Sequence, residues 1–117
     1  EKKTLSDGIS TFSGGYERFR KELERVKEDN SYLIILIEGK YSDILNFNNL
    51  RYIIGTKAKP DFILHRMRSL LNDFPLHCQL LAVENRSQAI KIIEIIFRIK
   101  NDIRTVDLEF FHSKSII

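Results

Sequence analysis

Tryptophan is absent from these 117 residues, and cysteine, methionine and proline are scarce, at one, one and two copies. A lone cysteine, Cys78, excludes an internal disulfide and fits a reducing compartment. It stands in an apolar run and reads as a small buried hydrophobe. No run approaches the roughly 18 to 20 apolar residues of a membrane span, and no signal peptide is visible. His65, His77 and His112 lack zinc-ligand spacing and have no cysteine pair to help them, so a zinc site is discarded. Gly14 and Gly15 do not belong to a G-x-x-x-x-G-K-[ST] phosphate loop. Ser6 and Cys78 have no recognisable base partner, which removes support for triad chemistry. There are no internal repeats and no low-complexity tracts.

What is present is the composition of a soluble globular protein, with 43% hydrophobic and 30% charged residues. The length suits one domain with a real core. Lys and Arg number 19 against 16 Asp and Glu, a net charge of +3. That permits nucleic-acid binding without arguing for it, since a basic DNA-binding module normally shows a larger excess or a clear cluster. The chain opens without methionine, in the middle of a plausible strand, and is read as a fragment.

Hydrophobic periodicity predicts helices alternating with short buried strands. Leu5, Ile9 and Phe12 form one apolar stripe over Thr4 to Phe12, which Ser13-Gly14-Gly15 ends. Tyr16, Phe19, Leu23 and Val26 predict a helix from Tyr16 to about Glu28, with opposite charges at i,i+4 in Glu17–Lys21 and Arg20–Glu24. Asp29-Asn30 breaks it. The run Tyr32 to Ile37 is short, branched and uninterrupted, so it reads as a strand covered on both faces. Covered strands need helices on either side, which makes the architecture α/β.

From Lys40 to Lys59 the pattern is hard to read, with turn residues Asn46, Asn48, Asn49 and Gly55 around Leu50, Ile53 and Ile54. Pro60 suits the first position of a helix that carries Ile63, Met67, Leu70, Leu71 and Phe74 and stops at Pro75. Gln79 to Val83 reads as a second strand. In the helix from about Arg86 to Asn101, apolar residues from Ala89 to Ile99 spread over roughly 220° of the circumference. Two surfaces must cover it: its own sheet, and either a second subunit or further chain. The tail from Ile103 onward adds a strand or packs locally.

Chemistry concentrates in Glu1-Lys2-Lys3-Thr4-Leu5-Ser6-Asp7. In an extended segment, side chains alternate with period 2, so Glu1 and Lys3 point at one shared site while Lys2 points away. Ser6 or Asp7, then Gly8, suggests a turn into a helix start. A carboxylate able to hold a hard divalent cation, beside a lysine able to orient water or stabilise phosphate charge, is the minimum equipment for metal-assisted phosphodiester cleavage. Taken alone, E-x-K is a weak pattern.

The order of elements behind it gives the pattern its context. E-K-K-x-x-S-D, helix, Gly-Gly, helix, "IILIEG" at 34–39, the helix "PDFILHRMRSLLNDFP", the strand "CQLLAVEN" and the helix "RSQAIKIIEIIF" together resemble the XPF-type nuclease domain. That family is a branch of the restriction-endonuclease-like superfamily, and the likeness is to its stand-alone prokaryotic or phage forms over about residues 1–100. The family motif is an upstream G-D followed by E-R-K-x-x-x-D. Here Glu1, Lys3 and Asp7 fall on E, K and D, and Lys2 replaces the arginine, keeping the charge but losing its bidentate fork.

The resemblance implies a restriction-endonuclease-like core, a central mixed sheet flanked by helices and lacking its first strands in this chain. It implies a structure-specific DNA endonuclease dependent on Mg²⁺ or Mn²⁺, acting on branched, flap or forked DNA. Glu1 would be a metal ligand, Lys3 would position water or neutralise phosphate charge, and Asp7 would support either. Lys2 and Arg18 would contact nucleic acid, since Arg18 falls on an arginine the family uses near its groove. A homodimer through helix 86–101 and a cytoplasmic location, in a prokaryotic nucleoid or a phage-infected cell, follow from the same likeness. The aspartate of the G-D element would lie before residue 1, so this stretch alone is expected to be a poor nuclease. The alternatives are a non-catalytic DNA-binding or dimerisation module with a degenerate nuclease fold, and a generic α/β interaction domain.

Overall fold

The computed structural model describes residues 1–47 and 59–114. Its frame is a sheet of three short strands, β1 (Lys2–Thr4), β2 (Leu33–Glu38) and β3 (Cys78–Val83), in the order β1-β2-β3. Both pairings are parallel: Lys3 lies beside Ile37, and Ile35 beside Leu80. The sheet expected to be mixed is therefore parallel throughout its described strands. The cause is connectivity, because each link between strands runs through helices, and parallel neighbours need such crossovers where antiparallel ones need only a hairpin.

Helices α1 (Leu5–Phe12) and α2 (Tyr16–Glu28) separate β1 from β2, while α3 (Tyr41–Leu45) and α4 (Pro60–Asp73) precede β3. After β3 come α5 (Arg86–Ile99), a 3₁₀ turn (Lys100–Arg104) and α6 (Leu108–Ser113). Alternation along β2 serves both faces at once. Ile35 and Ile37 join Leu5, Phe12, Phe19, Leu23, Ile63 and Leu70 in one core, and Leu36 joins Ile92, Ile103 and Leu108 in the other. Burial on both sides is what a strand without polar residues requires.

Several boundaries follow from local chemistry. Thr4 caps α1, its hydroxyl accepting from the Asp7 N–H at 3.2 Å. The helix start expected at Ser6 or Asp7 therefore lies earlier, and Ser6-Asp7-Gly8 are helical. Gly8 lets α1 approach the sheet, since a Cβ there would stand 3.3 Å from Ile37 Cδ1. Asn30 at φ 53° ends the segment after α2, a left-handed position that asparagine tolerates. Pro60 opens α4 as expected. Asn85 caps α5 by accepting from the Gln88 N–H at 2.9 Å, and the Gln88 side chain accepts from the Glu84 N–H at 2.9 Å.

Two expected charge pairs do not form. Arg20 reaches across to Asp73 at 2.8 Å and to the Tyr16 hydroxyl at 3.2 Å instead of turning to Glu24. No ion pair joins Glu17 to Lys21 among the described residues.

The tail packs locally as a 3₁₀ turn and α6, with Ile103 and Leu108 buried. Gln79 of β3 holds it: Nε2 donates to the carbonyls of Ile103 (3.1 Å) and Val106 (2.6 Å), and Oε1 accepts from the Leu108 N–H (2.9 Å). Arg104 adds hydrogen bonds to the Asn30 side chain and carbonyl. This tail supplies part of the second cover that α5 needs. Ala89 and Ile92 are buried, Ile93, Ile96 and Ile99 lean on the same core, and Ile90 and Phe97 stay 48% and 72% exposed. The expectations for Asn48, Asn49, Leu50, Ile53, Ile54 and Gly55 lie outside the described residues. No helix among the described residues is long and apolar enough to cross a membrane.

Candidate active site

β1 is an outer strand of the described sheet. The Glu1 nitrogen donates to the Ile34 carbonyl, and the Glu1 carbonyl accepts from the Leu36 N–H at 2.7 Å, which fixes the strand's rotation. Lys3 is in register with Ile37, a residue of the core beneath α1 and α2, whereas Lys2 is in register with Leu36 of the opposite core. Period 2 therefore sends Glu1 and Lys3 to the α1–α2 face and Lys2 to the other.

Lys3 Nζ lies 2.8 Å from Glu1 Oε1 and 5.3 Å from the centroid of the Phe19 ring. The Lys3 side chain is 13% exposed and that of Glu1 40%. An ammonium held between a carboxylate and an aromatic face has little freedom, and the partly open carboxylate keeps room for another partner. Since such half-exposed pairs add only about 0–1 kcal/mol, this one matters more for position than for stability. Lys2 Nζ is 2.9 Å from Glu38 Oε2, so Glu38 belongs with Lys2 and not with the Glu1–Lys3 pair.

The pair opens onto a cavity of about 700 Å³. Asp7, Ser10 and Thr11 of α1 border it, together with the loop Ser13-Gly14-Gly15 and with Arg18 and Glu22 of α2. The Asp7 backbone is tied down at both ends, its N–H to Thr4 and its carbonyl to the Thr11 hydroxyl at 2.9 Å. Gly15 packs closely on the end of α1, since a Cβ there would stand 3.2 Å from the Ser10 carbonyl oxygen, a tight contact. Arg18 is exposed on the α2 wall. Lys2 borders the same space, but its ammonium is engaged with Glu38.

Glu1, Lys3, Asp7 and Arg18 thus share one cavity, and Lys2 stands at its edge facing the other way. Four contributors were not singled out from sequence: Phe19, which seats the Lys3 ammonium, and Ser10, Thr11 and Glu22 on the walls. Glu22 follows Arg18 by four, so helical spacing carried a usable signal for it. For Phe19 there was none, because its core spacing looks the same whether or not a lysine rests on its ring.

Magnesium and manganese are hard cations, typically held by one or two carboxylates with water and substrate phosphate completing the shell. Glu1 and Asp7 put two carboxylates on the wall of one open cavity, with one Glu1 oxygen paired to Lys3. No group of three Asp, Glu, His or Cys side chains able to hold a metal exists among the described residues, so a preformed protein cage does not fit. No family model, characterised protein or solved structure matches this chain, and the functional reading rests on its own residues.

Proposed function

We propose that the chain is a metal-dependent, structure-specific DNA endonuclease of XPF type, built on a restriction-endonuclease-like core. The observation that carries the reading is the Glu1–Lys3 pair, 2.8 Å apart and opening on a cavity that Asp7 and Arg18 also border. Glu1, with Asp7 nearby, would hold Mg²⁺ or Mn²⁺. A bound ion of this kind polarises the phosphate and lowers the pKa of its water. Lys3, immobilised by Phe19, holds a positive charge where negative charge grows on the phosphate, and a fixed charge needs no reorganisation when the bond breaks. Arg18 attracts the strand that enters, a contact that positions without reading sequence. Lys2 serves the backbone of the same strand only if it leaves Glu38.

Digestion of linear, flap and forked DNA in Mn²⁺ by the full-length protein tests the proposal. Cleavage of the branched substrates that is lost in Glu1→Ala and Lys3→Ala supports it. Unchanged cleavage in both variants removes it.

A non-catalytic DNA-binding or dimerisation module is the second reading, favoured by the lack of a three-ligand group among the described residues. It expects fork binding that survives Glu1→Ala with no cleavage in any metal. A homodimer through α5 belongs to both readings. Its support is the row Ile90, Ile93 and Phe97, one helical face with two members exposed. A reducing, cytoplasmic setting suits the single free thiol of Cys78.

A further inference from the structure

Phe62 sits in the first turn of α4 with its residue 45% exposed, while the same helix sends Ile63, Met67 and Leu70 into the core. One turn later, Arg66 lies over the Phe62 ring, its Cζ 4.2 Å from the centroid, and over the Tyr16 ring at 4.6 Å. Arg66 Nη1 also donates to the carbonyls of Phe12 (3.2 Å) and Ser13 (2.7 Å). The guanidinium is thus fixed by two oxygens and two rings, and it fixes Phe62 in turn. Ser13 borders the cavity that holds Glu1 and Lys3. A chain of contacts therefore links the wall of that cavity, through the Ser13 carbonyl and Arg66, to an exposed aromatic ring.

We propose that Phe62, backed by Arg66, is a stacking platform for an unpaired base of a DNA strand that leaves the cavity across the Ser13 rim. This rests on the nuclease reading for the identity of the strand and names its single-stranded arm as a ligand. A half-exposed aromatic ring with a fixed cation against it suits a nucleobase, which every sequence can supply. A protein partner would want a wider apolar surface, yet the exposed α4 neighbours of Phe62 are Asp61, His65 and Arg68.

The test is metal-free binding of a short oligonucleotide carrying 2-aminopurine, of a fork with the same arm, and of a blunt duplex. Wild type, Phe62→Ala, Phe62→Leu and Phe62→Trp are compared, each with its melting midpoint. Stacking contributes on the order of 1–3 kcal/mol per base, so Phe62→Ala and Phe62→Leu should bind the single strand and the fork roughly tenfold more weakly. Both should lose the 2-aminopurine quench, keep the duplex affinity, and differ from Phe62→Trp, which retains binding. Unchanged single-strand affinity in Phe62→Ala, wild-type behaviour of Phe62→Leu, or equal loss on the duplex overturns the platform. Cleavage that depends on Glu1 while Phe62→Ala binds normally leaves the nuclease and removes the platform. Phe62-dependent binding by a chain that cuts nothing does the reverse.

Discussion

Glu1, just before β1, and Lys3 within it meet at 2.8 Å over the face covered by α1 and α2, while the lysine between them is held on the opposite face by Glu38. The pair separates site residues from surface charge in a way that substitution can measure. Glu1→Gln and Lys3→Met remove charge and keep shape. Each should lower branched-DNA cleavage by about 100-fold or more, as loss of a group aimed at developing charge does. Melting should fall only slightly, because a partly exposed pair of this kind adds on the order of 1 kcal/mol. Mn²⁺ affinity, read by electron paramagnetic resonance, should fall in Glu1→Gln. Lys2→Met should cost far less activity, since its ammonium faces Glu38. Equal losses for Lys2→Met and Lys3→Met would show that β1 does not sort them.

Gln79→Leu should free the C-terminal segment. It removes the partners of two carbonyls and of the Leu108 N–H, at a cost of about 2–4 kcal/mol for groups left without hydrogen bonds. Hydrogen exchange at the Leu108 amide should accelerate well before that at Ile35 in β2. Protection that stays the same at both would mean apolar packing alone holds the tail.

Phe97→Asp tests the proposed homodimer without disturbing the core, because Phe97 is exposed whereas Ile93 and Ile96 lean on packed residues. Sedimentation at micromolar concentration should show dimer for the wild type and monomer for the variant. A wild type that is already monomeric ends the proposal.

Alkaline pH should weaken the fold through Cys78. Burial pushes this thiol from 9.0 up to about 11, and its Sγ–H points at the Phe74 carbonyl at 3.5 Å. For a group raised on folding, the contribution is complete below the unfolded pKa and is lost as pH climbs through the folded one. The window is therefore about pH 9 to 11, and the loss is on the order of 2–3 kcal/mol. Burial raises Tyr32 too, so erosion has the same sign there. Urea unfolding at pH 8, 9.5 and 11 should show a shallower decline for Cys78→Ala. Parallel declines would contradict a thiolate penalty.

Where the sequence was legible, one short-range period carried the information. The bounds of α2 followed from Tyr16, Phe19 and Leu23 between a Gly-Gly pair and Asn30, and the convergence of Glu1 with Lys3 followed from alternation along a strand. The apolar stripe over Thr4 to Phe12 gave the extent of α1, whereas the capping signals at Ser6 and Asp7 pointed too late, and Thr4 wins over them by placing Leu5 in the core. The parallel sheet could have been read from the helices between successive strands, but the family resemblance led to a mixed sheet instead. The Gln79 clamp and the Arg66 bonds to the end of α1 were not legible, because they join positions 24 to 54 residues apart through backbone oxygens common to every sequence.

Arg66 has a consequence for how such a molecule diversifies. It grips the Ser13 carbonyl from 53 positions away and stacks on Tyr16, so the lip of the cavity is set from outside it. A change in α4 can then narrow or widen the entrance while leaving Glu1 and Lys3 untouched. On the proposed reading, ligand choice and chemical power would sit on different parts of the chain and be free to drift apart.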